Sequence, residues 1–248
     1  AASSEREPDL RRELDIAAHL RHPFIVRMHS LWREGGEYHM AMDLCTGGNL
    51  TQYANRQCCN IRRESPDWRS GLDSSTVLGL LFPMMSSIDH LHQLSIIHRD
   101  IKPENFVLED DGPRAVVKLI DFGFACRLPP GKRLRSRVGT RVYMAPEVLR
   151  KEYAHGADIW SLGVSAFALC TTHMPFEGKD METYEKNVLA DAVAIKSPAW
   201  KPHEPGLRQL VAELLTYDPA ERPNAKDALA MHAQMRSRCE VQPRLLRL

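Results

Sequence analysis

Two short polar motifs, joined by a turn, carry the residue types that phosphoryl transfer requires. The first motif, H-R-D-I-K-P-E-N, ends at Asn105, and the second, D-F-G, begins at Asp121. One carboxylate can orient and deprotonate an attacking hydroxyl, a lysine can stabilise the moving phosphate, and an Asn–Asp pair can hold Mg²⁺. We therefore predict a catalytic set of Asp100, Lys102, Asn105 and Asp121, in which Asn105 and Asp121 are the metal ligands.

The alternative for this stretch is a polar surface hairpin without chemistry. A lone D-F-G would leave that alternative open, but the combined register H-R-D-x-K-x-x-N…D-F-G is very specific. On these motifs the sequence resembles the eukaryotic protein kinase family, over residues 10–233 approximately. Lys102, two residues after Asp100, resembles the serine/threonine type. The segments KPENF, DFGFA and GTRVYMAPEVL are most similar to the calcium/calmodulin-dependent and calcium-dependent kinase group.

The resemblance implies an α+β, bilobal kinase-like fold with a truncated small β lobe and a mainly helical large lobe. We expect a partial small lobe of one helix and a β-hairpin in residues 1–44, a large lobe in 45–235, and a short basic tail in 236–248. The chain begins with Ala1, and it contains neither a G-x-G-x-x-G-x-V motif nor a V-A-I-K-type strand. We therefore expect a fragment that lacks the first strands of its domain and is inactive by itself.

The resemblance also implies that ATP is bound at a hinge that follows the hairpin. Met42 is similar to a gatekeeper at the back of the adenine pocket, although a core methionine is the alternative. Asn49 replaces a glutamate of the family but could still bond a ribose hydroxyl, and Glu104 is an acid that arginine-selective relatives use. The implied nucleotide-binding residues are Met42, Asp43, Cys45, Asn49, Glu104, Asn105, Val107 and Asp121.

Four residues are candidates for regulation by the same resemblance. Ser136, in a segment rich in arginine, occupies a position that is phosphorylated in many family members, and Arg99 is its expected partner. A phosphate could gain one to three charge-assisted bonds there, but a mobile basic loop with an unmodified serine is the alternative. Thr140 is similar to a residue that contacts the catalytic lysine and marks a Ser/Thr substrate. Glu13 would pair with a strand lysine, or is a solvated helix carboxylate in this chain.

Periodicity and turn residues predict the supporting elements. We expect strands over 24–33 and 37–44 joined by two glycines, an exposed loop over 57–74, and a helix that Pro83 interrupts and kinks. A nearly all-apolar stretch, 158–169, predicts a buried helix. The resemblance implies that Asp158 in it bonds the catalytic-loop backbone, and that Glu147 pairs with Arg222.

Composition favours an ordinary globular protein, with 43% hydrophobic and 26% charged residues and a net charge of +1 in 248 residues. That balance gives no indication of a nucleic-acid partner, and no apolar run is long enough for a membrane span. Six cysteines without a C-x-x-C pair favour free thiols and a cytoplasmic location. The expected partner is a protein with a Ser or Thr acceptor. Calmodulin or a calcium-sensing segment would lie outside this chain.

Two functional hypotheses remain at this stage. The first is an ATP- and Mg²⁺-dependent protein serine/threonine kinase. The second is a catalytically inactive kinase-like scaffold or binding module, which the absent glycine-rich loop and strand lysine would favour. Because a binding module has no need of the complete catalytic set, the sequence favours the kinase.

Overall fold

The computed structural model describes residues 2–64, 71–112, 114–191 and 200–238, in which eight α-helices and six short strands occur. The helices are α1 (Ala2–His19), α2 (Leu50–Glu64), α3 (Ser74–Gln93), α4 (Pro146–Leu149), α5 (Gly156–Thr171), α6 (Met181–Leu189), α7 (Pro205–Leu214) and α8 (Ala225–Arg238). The strands are β1 (Met28–Glu34), β2 (Glu37–Met42), β3 (Ile96–Ile97), β4 (Phe106–Leu108), β5 (Val117–Leu119) and β6 (Cys126–Arg127). They form three antiparallel pairs, β1–β2, β3–β6 and β4–β5. This α+β composition agrees with the predicted fold class.

The predicted hairpin is present as β1–β2, with shorter strands than expected. Gly35 and Gly36 have φ values of 59° and 89°, which suits the turn that joins two antiparallel strands tightly. The residues before Met28 leave the hairpin and pair with β5 instead, because Phe24 accepts the Leu119 amide and Val26 donates to the Leu119 carbonyl. The hairpin is therefore tied at its base to the strand that leads to the second polar motif.

The prediction of an exposed loop over residues 57–74 is wrong for residues 57–64, which are helical. Helix α2 continues to Glu64, and Tyr53 and Cys58 are buried on its inner face. A reciprocal cap starts the helix: Asn49 Oδ1 accepts the Gln52 amide, and Gln52 Oε1 accepts the Asn49 amide. The sequence did not indicate this helix, because most of its residues are polar and only a few of its side chains reach the core. Residues 65–70 lie outside the described part.

The predicted helix that contains Pro83 is present as α3, which continues past Pro83 to Gln93, while the kink at Pro83 stays a prediction. The helix begins at a strong cap, in which Asp73 Oδ1 accepts the amides of Ser75 and Thr76 at 3.0 and 3.1 Å. Pro83 has no N–H to donate, and its ring crowds the carbonyl four residues earlier. The residue four positions earlier is Gly79, and the helix nevertheless continues to Gln93.

Helix α5 is the centre of the large lobe, as its apolar sequence predicts. Trp160 and Phe167 on it are fully buried, and α3 and α7 pack against it. Helix α8 packs on α3 and continues to Arg238, past the expected start of the basic tail at residue 236. Residues 239–248 of that tail lie outside the described part. None of the described helices is both long enough and apolar enough to cross a membrane.

The predicted ion pair between Glu147 and Arg222 is confirmed. Arg222 Nη1 and Nη2 lie 2.5 and 3.2 Å from the two carboxylate oxygens of Glu147, and both side chains are buried. The guanidinium also donates to the Gly156 carbonyl at the start of α5. Residues 124–147, the activation segment, end at Glu147, so this contact joins the end of that segment to the central helix.

Candidate active site

The catalytic loop after β3 is held in place by a buried carboxylate on α5. Asp158 accepts the backbone amides of His98 and Arg99 at 2.9 Å each, and His92 Nε2 lies 2.9 Å from the same carboxylate. Burial opposes ionisation of Asp158, but the bond from His92 and the other favourable contacts lower its pKa overall. The predicted contact between Asp158 and the loop backbone is therefore confirmed.

Asp100 is the centre of a hydrogen-bonded cluster. Its carboxylate contacts Lys102 Nζ at 2.8 Å, the Thr140 amide at 2.8 Å and Asn105 Nδ2 at 3.2 Å. The side chain is nearly buried, and although burial opposes ionisation, bonds from Lys102 and Thr140 lower the pKa of Asp100. The group is thus a carboxylate at neutral pH, with fixed orientation.

Lys102 joins this cluster to the activation segment. Its Nζ donates to Thr140 Oγ1 at 2.7 Å while it pairs with Asp100. The expected contact between Lys102 and Thr140 is confirmed. One ammonium group therefore lies beside both the carboxylate and the segment on which an acceptor peptide would rest.

Asn105 and Asp121 occupy the same end of the β4–β5 ladder. Asn105 immediately precedes β4, and the Ile120 amide, one residue before Asp121, donates to the Asn105 carbonyl at 2.8 Å. The Asn105 amide nitrogen also donates to the Asp100 carbonyl at 2.8 Å, so its Oδ1 is the atom left for a cation. Asp121 uses Oδ1 to accept the Gly123 amide, and Oδ2 remains. The pair offers two hard oxygen donors, which is the donor type that Mg²⁺ prefers.

Asp121 has a left-handed backbone, with φ 64°, and shares its surroundings with Glu13 of α1. A Cβ placed on Gly123 would lie 3.2 Å from Asp121 Oδ1 and 3.5 Å from Glu13 Oε2. Burial raises the pKa of Glu13, and the charge of Asp121 raises it further. Glu13 is therefore a half-buried carboxylate near Asp121, more shielded from water than an exposed helix carboxylate.

The expected hinge lies against β4, next to Asn105. The Gly47 amide donates to the Leu108 carbonyl, and Asn49 and Val107 form an isolated antiparallel bridge. Asn49 Oδ1 is engaged in the cap of α2, so its amide NH₂ is the part left for a ribose hydroxyl. Asn49 and Val107 are thus close together, as a shared nucleotide site requires.

The remaining hinge candidates differ in exposure. Met42, at the end of β2, is 42% exposed, whereas Cys45 is half-buried and burial raises the pKa of its thiol. The Asp43 carboxylate contacts Lys118 Nζ at 2.9 Å and His29 Nε2 at 2.8 Å. The Asp43 amide donates to the Arg27 carbonyl, so only the backbone carbonyl of Asp43 is left for an adenine edge.

Glu104 lies between the catalytic loop and α2. Its Oε1 accepts the Thr51 hydroxyl at 2.9 Å, whereas its Oε2 is buried and has no partner among the described residues. An unpaired buried carboxylate oxygen is costly and favours a ligand that donates to it.

The activation segment contacts the catalytic loop through Arg99. Its Nη1 donates to Ser136 Oγ at 3.1 Å, and its Nε donates to the Phe124 carbonyl at 2.6 Å. The hydroxyl of Tyr153 donates to the Ser136 carbonyl at 2.8 Å. The two residues that the sequence linked as sensor and phosphosite are therefore in direct contact.

Sequence reasoning missed two contributors to this region. Arg12, beside Glu13 on α1, donates from Nε to the Ala125 carbonyl and so links the small lobe to the segment after D-F-G. Glu185 on α6 accepts bonds from Arg137 and Arg141 of the activation segment. Both residues lie on ordinary polar helix faces. The only sequence signal for such a contact is the presence of many residues of opposite charge in the activation segment.

Comparison with known proteins agrees with the geometry of this site. The family model described as "Protein kinase domain" matches residues 1–233. Serine/threonine-protein kinase PEPKR2 and calcium-dependent protein kinase 25 of Arabidopsis thaliana are 30% and 31% identical, over 90% and 92% of this chain and 44% and 42% of their own lengths.

The delta subunit of calcium/calmodulin-dependent protein kinase type II from Oryctolagus cuniculus is 34% identical over 92% of this chain and 41% of its own length. The chain thus spans less than half the length of these curated relatives. A family match over nearly the whole chain agrees with the clustered H-R-D and D-F-G residues, and the chain belongs to the protein kinase domain family.

Proposed function

We propose that the protein is a serine/threonine kinase that transfers the γ-phosphate of ATP to hydroxyl groups of protein substrates. The observation that carries the proposal is the cluster of Asp100, Lys102, Asn105 and Thr140, joined by hydrogen bonds of 2.7–3.2 Å beside Asp121. Burial of several charged groups in this cluster is unfavourable in free energy. A scaffold has no need of such an arrangement, whereas a kinase requires it.

Asp100 is the group that orients the acceptor hydroxyl and takes its proton. Its lowered pKa keeps it ionised at neutral pH, and the Thr140 amide together with Lys102 fixes its direction. A positioned base of this kind contributes about 10²- to 10⁴-fold to a rate. Lys102, which already faces the carboxylate, is placed to stabilise the charge of the transferred phosphate.

Asn105 Oδ1 and Asp121 Oδ2 are the proposed Mg²⁺ ligands. Two side chains cannot fill an octahedral shell, so the remaining positions belong to phosphate oxygens and water. When bound, Mg²⁺ would neutralise charge that develops on the phosphates. The residues at the hinge, from Met42 to Asn49 together with Val107 and Glu104, would hold the nucleoside part of ATP.

Thr140 supports a preference for serine and threonine acceptors. Its hydroxyl fixes Lys102 in the catalytic cluster, and its amide fixes Asp100. The partner is proposed to be a protein segment that carries a Ser or Thr acceptor.

Control by calcium is a further part of the proposal. The names of two relatives include calcium dependence or calmodulin dependence. No D-x-D-x-D-G loop occurs in this sequence, so calmodulin or a calcium-sensing segment would act from outside these 248 residues. The five cysteines of the described part form no disulfide with one another, which supports a reducing, cytoplasmic setting.

The test compares Asp100→Asn with Glu221→Gln, an exposed control, in the natural protein that contains this chain. We expect Asp100→Asn to reduce phosphate transfer to a Ser/Thr peptide by at least about 10²-fold while Mg-ATP still binds, because only the base is lost. Glu221→Gln should leave transfer unchanged. Wild-type protein that binds Mg-ATP without any transfer would overturn the proposal and favour a scaffold.

A further inference from the structure

A second concave site lies where the segment after α1, the start of β1 and strand β5 meet. It encloses a cavity of about 380 Å³. Six of its lining side chains are polar: Arg21, His22, Arg27, His29, Asp43 and Lys118. None of the proposed catalytic or metal-binding residues lines it, and Asp43 is the one lining residue that also belongs to the expected hinge.

The charge of this cavity is strongly one-sided. Arg21, Arg27 and Lys118 are cationic at neutral pH and face a single carboxylate, that of Asp43. With both histidines neutral, the lining carries an excess of two positive charges. Glu109 also contacts Lys118 at 3.4 Å, but it lies outside the lining. A concave surface of this charge favours a doubly charged anion.

Hydrogen-bond donors are available in the cavity. Arg21 uses Nη1 for the adjacent Leu20 carbonyl at 2.7 Å, which leaves its other donors. The guanidinium of Arg27 has no hydrogen bond or ion pair within the described residues. Two guanidinium groups that converge with a lysine present the planar and point-charge donors that phosphate oxygens accept.

We propose that this cavity binds a phosphate monoester through Arg21, Arg27 and Lys118. The volume exceeds that of a phosphate alone and leaves room for a small organic group. A phosphorylated metabolite and a phosphorylated side chain of a protein carry the same dianion, so the site recognises the chemistry that they share.

The Asp43 carboxylate weakens the binding of phosphate at this site. It already holds Lys118 at 2.9 Å and His29 at 2.8 Å, so a phosphate must compete with it for both donors. The bond from Lys118 lowers the pKa of Asp43 to about 2, which keeps the competing charge in place at neutral pH. Removal of that charge must therefore strengthen phosphate binding.

The experiment is a calorimetric titration of the 248-residue chain with O-phosphoserine. We expect Arg27→Gln to weaken binding about tenfold, because a hydrogen bond to a charged group is lost. Arg33→Gln removes the same charge from an exposed position on β1 and should change nothing. Asp43→Asn should tighten binding. If Arg27→Gln does not fold by thermal melting, Arg21→Gln provides the same test.

Three results would overturn the proposal: no saturable binding, equal loss in Arg27→Gln and Arg33→Gln, or no gain in Asp43→Asn. A capped phosphoserine peptide distinguishes the two sources. Tighter binding of the peptide than of O-phosphoserine supports the site with a phosphorylated protein as its ligand. Equal or weaker binding of the peptide supports it with a small phosphate ester.

Discussion

Arg99 donates a hydrogen bond from Nη1 to Ser136 Oγ over 3.1 Å, although 37 residues separate the two in the chain. A phosphate on Ser136 would carry a charge of about −1.5 to −2 and would turn this contact between a cation and a neutral hydroxyl into an ion pair. Arg99 also donates to the Phe124 carbonyl, directly after D-F-G. Phosphorylation would thus strengthen a contact that joins the activation segment to the catalytic loop.

We predict that phosphorylation of Ser136 raises the kcat for a peptide substrate, and that Arg99→Ala removes the gain. The measurement is the ratio of activities of phosphorylated and unmodified protein, because Arg99 lies next to Asp100 and its loss also affects basal activity. Arg133→Ala, an exposed change in the same basic segment, should leave the ratio unchanged. Equal activity of the two wild-type forms would count against the switch.

Loss of Arg222 should destabilise the large lobe strongly. Arg222→Ala leaves Glu147 as a buried, unpaired charge, which typically costs about 3–5 kcal/mol. Urea unfolding monitored by circular dichroism measures the change in the free energy of unfolding. Lys186→Ala is the matched control, because its ion pair with Glu182 is exposed at 71% and 81% and should be worth about 0.5 kcal/mol or less. Similar losses in both variants would show that the buried pair is not special.

Glu13 makes the stability of the chain depend on pH. Its pKa is raised above 4.5 in the fold, first by burial and then by Asp121, so folding disfavours its charged form. Stability is therefore lost as pH rises from the unfolded pKa through the folded pKa. We expect Glu13→Gln to melt at a higher temperature than wild type at pH 7 and at the same temperature below pH ~4.

Two further variants isolate the cause of that effect. Asp121→Asn should lower the pKa of Glu13, as carboxyl chemical shifts in an NMR titration would report, while the contribution of burial remains. Glu221→Gln, an exposed change, should not alter the melting temperature at either pH. A Glu13 pKa that does not respond to Asp121→Asn would refute the proposed proximity.

Thr140 should matter for turnover more than for folding. Thr140→Val removes the hydroxyl that holds Lys102 at 2.7 Å but keeps the shape and the backbone amide that binds Asp100. We predict that kcat falls by at most about tenfold, with little change in the free energy of unfolding. Thr140→Ser, which restores a hydroxyl, should recover most of the rate, and steady-state kinetics with a Ser peptide would detect the difference.

The sequence was most informative where chemistry fixes spacing. The register from Asp100 to Asn105 predicted three side chains that do contact one another, and Asp121 follows Ile120, whose amide donates to the Asn105 carbonyl. By contrast, the continuation of α2 to Glu64 was missed, because the polar residues of this segment and the following Pro66 and Gly71 favoured a loop. Pro83 was also no guide to the end of a helix, since α3 continues past it to Gln93.

Contacts between distant polar residues were the hardest to foresee. Glu185 and Arg12 have no motif of their own, and their partners come from segments far along the chain. Surface charges at such positions are usually solvated, so only the folded chain distinguishes the two that bind the activation segment.

Helix α5, buried on all sides, has a consequence for how the catalytic loop exchanges its amide hydrogens. The amides of His98 and Arg99 both donate to Asp158 on that helix, so neither can reach water unless the core of the large lobe opens. Loop amides ordinarily exchange through local fluctuations, but these two should exchange only at the rate of global unfolding. In deuterated buffer, the catalytic loop should therefore be among the last segments of the protein to take up label.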